Sequence, residues 1–462
     1  MEYDDVPFNK IIKLSEYLSK KAYNPKIHTW SWAIENNYIT VMEWFVKNTQ
    51  TLPSSDDFIL AVEKGNIKIV TYLQDMSFSA SKKVMDIAAC KGHLDILKLL
   101  SETRVEGCSS KAAEWAALNG HIDIIKWLYD KRLKFTKNVY DNACRGGHMG
   151  IIRFLDDIDA HCSTNAMDYA ADIEIIKYLH RNRKEGCTTN AMDFAAQNGE
   201  FEIVKWLSEN RLEGSTTKAI ENAALNGHIN IVKWLVDKKI SSENDSVEKT
   251  CIGGHLEILK WLVTNVKYKC SQRSVTYAAS NGHLHILKWI DDNVEDINFP
   301  EEALSLAAKN GYFNVVMWLH SKDPENISQD SIVYAAENGH SKIVKWLFDA
   351  SPKLRKISII DHAASCGHMD IVTWLHDNSG KSSVKAMDYA AANGHVEILD
   401  FLFKNRRDGF SREALPNAIQ CGNLPTVRWF VENTKPIILK ELITMARSHK
   451  HDHIVNFLMK KI

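Results

Sequence analysis

The stretch AALNGHINIVKWL at Ala223–Leu235 decides the fold, because close copies of it recur along the chain. AAQNGEFEIVKWL stands at Ala195–Leu207, and AAENGHSKIVKWL stands at Ala335–Leu347. The glycine of this phrase returns about every 28 residues, a period typical of stacked helical repeats. We count sixteen repeats between about His28 and the C-terminus.

Each repeat is predicted to form two short helices. In Thr188–Glu209, the hydroxyl of Thr188 can cap the first helix, and the Asn198-Gly199 pair favours the turn that ends it. Phe201–Leu207 then carries apolar residues at helical spacing on one face. Helices this short cannot bury such a face alone, so neighbouring repeats are expected to stack. The sequence therefore predicts an all-α fold, an α-solenoid of about sixteen helix-turn-helix repeats wound into a curved superhelix.

Tryptophan marks one position of the repeat. Ten of the thirteen tryptophans stand where Trp206 does in its phrase. Other repeats place another large apolar residue there, including Tyr72, Leu99 and Phe154. A position that requires bulk rather than an indole ring indicates packing, not ligand binding. If Trp206 is buried, replacing it with alanine should cost about 3–5 kcal/mol of folding free energy.

The phrase resembles the ankyrin repeat, which reads AAxxGHLEIVKLLL from the end of its first helix through its second. The resemblance extends over about residues 28–462. These repeats are about five residues shorter than the ankyrin period of about 33. Forms such as TTNAMDF at Thr188–Phe194 also replace the ankyrin TPLH opening. The resemblance implies a protein-binding array of ankyrin-like repeats whose β-hairpin fingers are trimmed or absent.

Composition and motifs argue against several classes of function. The net charge of −1 speaks against a broad electrostatic grip on nucleic acid or membrane, and no apolar stretch approaches the ~20 residues of a transmembrane helix. The nine cysteines include no CxxC pair and recur at fixed repeat positions, which indicates packing residues in a reducing compartment. No HExxH, GxSxG or phosphate-loop motif occurs. We expect a cytoplasmic, monomeric, non-enzymatic protein that needs no cofactor.

Histidine follows the glycine in nine repeats, which raises the question of a metal site. Zinc requires each ligand nitrogen at about 2.1 Å, whereas helices of stacked repeats lie about 8–10 Å apart. A structural role at the N-terminus of the second helix is therefore expected. The separate cluster of His449, His451 and His453 is interpreted as a polar cap, with weak metal capture as the alternative. The nine histidines are His93, His121, His148, His228, His255, His283, His340, His368 and His395.

The position directly after the paired alanines varies widely in chemistry from repeat to repeat. In ankyrin repeats this position resembles a contact site on the concave face, so the resemblance implies that a partner protein binds here. Apolar residues at an exposed position would need such an explanation; the alternative is neutral variation on a solvated face. The candidate partner-binding residues are Leu118, Arg145, Leu225, Ile252, Lys309 and Glu337.

One repeat is too short. The copy AADIEIIKYL at Ala170–Leu179 lacks the residues that would join its helices through the glycine turn. We expect the superhelix to kink near residues 170–179, between an arm of five repeats and an arm of ten.

The chain before the array, residues 1–27, offers the only signal outside the repeats. It is predicted to be a capping helix that covers the exposed end of the core, with the array occupying residues 28–462. An alternative rests on Val6-Pro7 followed by Ile11, Ile12 and Leu14, which loosely resembles the opening of an F-box. That reading would make the protein a substrate receptor of a ubiquitin ligase.

Overall fold

A computed structural model describes residues 30–49, 52–76, 82–103, 107–240, 242–325, 327–434 and 439–461. The predicted capping helix and the F-box-like segment both lie outside these residues. Throughout the described part the chain is helical, with 32 α-helices that form sixteen pairs and without a strand. The predicted all-α architecture and the number of repeats are confirmed. In the same residues no helix has the length and apolar character that crossing a membrane requires.

We number the repeats 1 to 16 in chain order and call the two members of each pair the first and second helix. The first helices are Trp30–Glu35, Ser55–Glu63, Lys83–Lys91, Ser110–Leu118, Lys137–Arg145, Asn165–Asp168, Asn190–Asn198, Lys218–Leu225, Glu243–Gly253, Gln272–Ser280, Glu301–Lys309, Gln329–Glu337, Ile359–Ser365, Val384–Ala392, Ala414–Gln420 and Leu439–Ser448.

The second helices pair with these in the same order. They are Ile39–Thr49, Ile67–Gln74, Leu94–Thr103, Ile122–Asp130, Met149–Asp157, Ile173–Asn182, Phe201–Asn210, Ile229–Asp237, Leu256–Trp261, Leu284–Asn293, Phe313–Lys322, Ser341–Ala350, Met369–Asp377, Val396–Asn405, Leu424–Thr434 and Asp452–Met459. A π-helical turn, Leu262–Val266, extends the second helix of repeat 9, and a 3₁₀ turn, Leu354–Lys356, follows repeat 12.

The chain divides into two compact units. Unit 1 comprises Met1–Ala196 with Glu200–Thr216, and unit 2 comprises Gln197–Gly199 with Thr217–Ile462. The division falls at repeat 7, one repeat after the shortened copy. The kink expected at residues 170–179 stays a prediction.

Paired alanines let the first helices approach closely. Within unit 2, Lys218–Leu225 packs along Glu243–Gly253, and Ala223 and Ala224 have no exposed surface. A methyl side chain occupies little space between two backbones, so neighbouring first helices pack closely along their length. The second helices of adjacent repeats meet over a smaller part of their length, as Ile229–Asp237 does with Leu256–Trp261.

Repeat 6 keeps the stacking with a reduced first helix. Asn165–Asp168 has four residues, and the chain enters the second helix without the glycine turn. Asp172 caps that helix instead, because its carboxylate accepts hydrogen bonds from the backbone N–H groups of Glu174 at 2.8 Å and Ile175 at 3.0 Å. A carboxylate at a helix N-terminus also interacts favourably with the helix dipole.

The tryptophan position is less buried than its regularity suggests. Trp206 is half buried, whereas its neighbours Val204 and Leu207 are 0% and 2% exposed. The indole lies at the edge of the row of second helices and meets the His180 ring of the preceding repeat at 5.2 Å, edge to face. The same edge contact joins His320 to Trp346 at 5.0 Å. The position packs repeat against repeat, but the cost expected for a fully buried Trp206 does not apply.

All nine cysteines are free thiols, as their repeat-locked positions predict. Cys144 and Cys251 are buried in first helices, and burial raises the pKa of both thiols well above the usual range. Burial also raises the pKa of the Cys270 thiol to about 11. These three side chains act as small apolar packing residues at neutral pH.

Leu207 should contribute more to stability than the larger Trp206 beside it. Leu207→Ala removes a fully packed side chain and is expected to cost about 2–5 kcal/mol. Trp206→Ala removes a ring that keeps part of its surface in water, and we expect about 1–2 kcal/mol, within the common range for single substitutions. Urea denaturation of the full chain measures both. An equal or larger loss for Trp206→Ala would contradict this assignment of the core.

Candidate functional site

The candidate partner-binding residues lie at or near the C-terminal ends of first helices. Leu118 and Arg145 belong to unit 1, whereas Leu225, Ile252, Lys309 and Glu337 belong to unit 2. Repeats 8, 9, 11 and 12 supply the four residues of unit 2, so these form a column broken only at repeat 10. The structure therefore groups the four residues of unit 2 on one helical layer.

The backbone of this position has a fixed role. The Nε2 atom of His148 lies 3.0 Å from the carbonyl oxygen of Leu118 in the preceding repeat, and His283 Nε2 lies 2.9 Å from the Ile252 oxygen. All nine histidines that follow the glycine make this bond to the preceding repeat. Because a carbonyl oxygen only accepts, each neutral ring carries its proton on Nε2. We call this row of bonds the histidine ladder.

The histidine ladder also explains the glycine. Gly120 has φ +83°, and a Cβ atom placed on it would lie 2.5 Å from Cε1 of His148. The imidazole therefore rests directly on the glycine of the preceding repeat. The expected position at the N-terminus of the second helix is correct, but His148 makes no side-chain cap to its own helix. Its bond ties two repeats together.

Repeat 6 lacks the histidine, and a backbone bond takes its place. Ala171 lies against Gly147, and its N–H donates to the carbonyl oxygen of Cys144 at 3.1 Å. Arg145, alone among the six candidates, therefore has no histidine on its carbonyl group.

The charged candidate side chains contact the next repeat. The guanidinium carbon of Arg145 lies 5.6 Å from the centre of the Tyr169 ring, and Lys309 Nζ lies 5.6 Å from the centre of the Tyr334 ring. Glu337 Oε1 accepts a hydrogen bond from His362 Nδ1 at 2.8 Å. Each contacted residue stands directly before the paired alanines of its repeat.

The apolar candidates are less exposed than the sequence analysis assumed. Leu118, Leu225 and Ile252 are half buried. Part of each side chain is covered because the first helices approach closely. Their apolar character is therefore explained partly by packing, and partner binding is not needed to account for all of it.

The residues directly before the paired alanines form a further column, which was not predicted from the sequence. In unit 2 this column runs beside the candidates, and Tyr389 is 43% exposed. Its aromatic recurrence in the phrases TYAAS, VYAAE and DYAAA was visible in the sequence. We call this column, together with Leu225, Ile252, Lys309 and Glu337, the first-helix face. The column members in repeats 10 to 14, which we include, are Tyr277, Leu306, Tyr334, His362 and Tyr389.

A second row of bonds between repeats was also missed. Asp361 is 5% exposed, and its carboxylate accepts hydrogen bonds from the backbone N–H of Ser383 at 2.8 Å and from the Ser383 hydroxyl at 2.6 Å. Thr188 binds Asp168 in the same way while its hydroxyl caps the first turn of its own helix. Burial raises the pKa of Asp168 although both bonds from Thr188 oppose the shift. In the sequence, the recurring phrase AMD was the signal that could have predicted these buried aspartates.

Metal ligands do not assemble in the described residues, where no group of three or more histidine, cysteine or acidic side chains could hold an ion. In the C-terminal cluster, His451 Nε2 lies 2.9 Å from the Gln420 carbonyl oxygen and His453 Nε2 lies 3.1 Å from that of Gly422. These two histidines bond to the preceding repeat, and His451 makes no side-chain cap to its own helix.

Removing a buried acceptor should destabilise the array. Asp361→Ala leaves the Ser383 N–H and hydroxyl without their partner, and the expected loss is about 1–3 kcal/mol of folding free energy. Asp361→Asn keeps one acceptor oxygen and should cost less. Urea denaturation of the two variants provides the comparison. Equal stability of Asp361→Ala and the unaltered protein would show that the bond is dispensable.

A family model agrees with this repeat structure. The family model for ankyrin repeats, in three copies, matches residues 58–141, 166–248, 192–274, 275–358 and 332–409. The human ASB11 ankyrin repeat domain is similar over 46% of this chain and 96% of its own, at 17% identity and a TM-score of 0.30. The maize pentatricopeptide repeat protein PPR10 is similar over 96% and 78%, at 9% identity and a TM-score of 0.30. A search of curated proteins finds no match. Because the family model covers well over half of the sequence, the chain belongs to the ankyrin-repeat family.

Proposed function

We propose that this protein is a non-enzymatic scaffold that binds a partner protein on the first-helix face, which the ankyrin resemblance equates with the concave face. Ankyrin repeats are in general protein-interaction modules. In this proposal the protein acts as a cytoplasmic monomer without a cofactor, and neither nucleic acid nor membrane is its ligand on that face.

One observation carries the proposal. At the position after the paired alanines, the backbone carbonyl makes the bond between repeats, so the side chain is not needed for it. Ile252, Lys309 and Glu337 can therefore differ in size and charge while their carbonyl groups all bind a histidine of the next repeat. Substitutions at such positions can change binding specificity while the fold is kept, which a recognition surface requires.

The chemistry of the first-helix face suits a protein ligand. Tyr277, Tyr334 and Tyr389 offer amphipathic rings, a residue type enriched where proteins meet. Lys309 and Glu337 add charges of both signs, which favours a partner surface of mixed charge over a polyanion.

We propose no enzymatic activity because the polar side chains recur in the same structural role from repeat to repeat. The most buried carboxylates, such as Asp361, and the half-buried histidines, such as His368, are engaged in bonds between repeats. A catalytic constellation requires a singular arrangement of nucleophile, base and orienting group. Side chains that recur in one structural role in many repeats do not provide that arrangement.

A photocrosslinking residue tests the binding face directly. Benzoylphenylalanine replaces Tyr334 on the first-helix face, and in a matched chain it replaces Lys233, which is exposed on a second helix. We expect position 334, but not 233, to capture a specific protein in the native cell. Tyr389→Ala combined with Lys309→Glu should then reduce that capture at least tenfold, the effect of losing about 1.4 kcal/mol of binding energy.

Thermal unfolding of the double variant is the control, and its midpoint should match that of the unaltered chain because both side chains are exposed. Equal capture from positions 334 and 233, or capture that the double variant leaves intact, would refute the proposed face.

A further inference from the structure

Several second helices carry paired charges on their outer surface. In repeats 6, 7 and 9, an acidic residue in the first turn precedes a lysine by three positions, and the two form an ion pair. Glu174 meets Lys177 at 2.9 Å, and Glu257 meets Lys260 at 2.8 Å. Such pairs add only tenths of a kcal/mol to stability, but they leave these three repeats close to neutral at these two positions.

Like several other repeats, repeats 11 and 12 lack this pair. In repeat 11, Asn314 stands where the acid is expected and Met317 where the lysine is expected, while Tyr312 replaces the histidine after the glycine. In repeat 12, Lys342 replaces the acid, and Ser341 replaces the apolar residue that begins most second helices. Five uncommon residues thus fall in two consecutive repeats, and at the positions of the pair Met317 adds an apolar group and Lys342 a basic one.

Large apolar side chains are exposed in these two repeats. Tyr312 and Met317 are 38% and 42% exposed, high values for large apolar side chains. Phe313 joins the two repeats, because its ring centre lies 6.2 Å from that of Trp346 and 4.1 Å from Lys342 Nζ. We call Tyr312, Phe313, Met317, Lys342 and Lys345 the 312–345 patch.

The positive charge of this patch is not neutralised from within. Lys342 and Lys345 are exposed, and among the described residues neither forms an ion pair. The nearest part of repeat 13 offers Asp370, whose carboxylate accepts a hydrogen bond from the Ser341 hydroxyl. Lys345 instead lies 5.6 Å from the centre of the Trp374 ring. Two unpaired ammonium groups therefore border an exposed apolar surface.

We propose that the 312–345 patch is a second docking surface, which binds an acidic segment of a partner protein that also carries a large apolar side chain. Carboxylates of the segment pair with Lys342 and Lys345, and its apolar side chain covers Met317 and Tyr312. The complementary charge steers association and sets specificity, while the apolar contact supplies affinity. The proposal does not depend on the first-helix face, because it uses second helices alone.

The same features disfavour a polyanion or a lipid surface as the ligand. Proteins that hold nucleic acid through its backbone commonly engage several phosphates, about 6–10 in well-studied cases. The patch offers two ammonium groups, and Lys342 covers the Phe313 ring on which a base would stack. Anionic membranes are held by clusters of about 4–8 basic residues, again more than the patch contains.

Selection from a library of random twelve-residue peptides displayed on phage, with the full chain as bait, supplies the probe. Peptides bound by the patch should be enriched in Asp and Glu together with Phe, Leu or Trp. A selected peptide, synthesised with a fluorescent label, is then titrated with each protein variant by fluorescence anisotropy. We expect the double variant K342E/K345E to weaken binding at least tenfold. Raising NaCl from about 0.1 to 0.5 M should also weaken it, because salt screens exposed charges.

Two further variants separate the patch from general effects of charge. K98E/K126E alters exposed lysines at the equivalent position of repeats 3 and 4, and it should leave the peptide affinity unchanged. Met317→Lys restores the usual residue of the repeat and should weaken binding several-fold by removing the apolar contact while it adds positive charge. A purely electrostatic site would instead bind this variant more tightly.

The proposal is overturned if no peptide is selected, if the selected peptides lack acidic residues, or if K98E/K126E weakens binding as much as K342E/K345E does. A single-stranded oligonucleotide, or vesicles that contain phosphatidylserine, serve as competitors. If either binds the full chain more tightly than the peptide and loses that binding in K342E/K345E, the ligand is a polyanion or a lipid surface, and the proposal is wrong. Circular dichroism of each variant confirms that the fold is retained.

Discussion

The histidine ladder is the interaction on which the stacking of repeats depends. Each imidazole rests on the glycine of the preceding repeat and donates its Nε2 proton to a carbonyl oxygen at the end of that repeat's first helix, as His255 does to Leu225 at 3.0 Å. The bond satisfies a carbonyl that the helix end leaves without an intrahelical partner. Since a Cβ atom would collide with the ring, the histidine requires a glycine in the preceding repeat.

A second tie at the opposite end of the first helix completes the attachment. Buried carboxylates such as Asp193 accept two hydrogen bonds from the threonine or serine that begins the next repeat, here Thr216 at 2.9 and 2.5 Å. Where both ties are present, two adjacent repeats are bound at both ends of the first helix, with alanines between. Only a few residues of a repeat make these hydrogen bonds. The side chains after the alanines and on the outer surface of the second helices can therefore vary.

The exceptions show what the stacking tolerates. Repeat 6 loses the histidine and most of its first helix, yet the Ala171 N–H replaces the imidazole as donor to the preceding repeat. Repeat 9 places Ser246 and Thr250 among buried alanine positions and extends its second helix with a π-helical turn. Repeat 11 carries Tyr312 in place of the histidine, and the ring rests on Gly282, whereas His340 of repeat 12 still bonds to Lys309. Variation on the surface costs the fold little because the ties are internal.

The sequence by itself determined the repeat, the helix pairs and the apolar layer, because the period of the phrase and the 3–4 spacing within it are local properties of the chain. It also placed the histidine at the start of the second helix. Only the tertiary structure decided that the ring bonds to the preceding repeat, that Asp361 is a buried acceptor, and that Trp206 is half buried rather than a core residue. Those facts depend on which surface of one repeat meets the next, and a period along one chain does not specify that geometry.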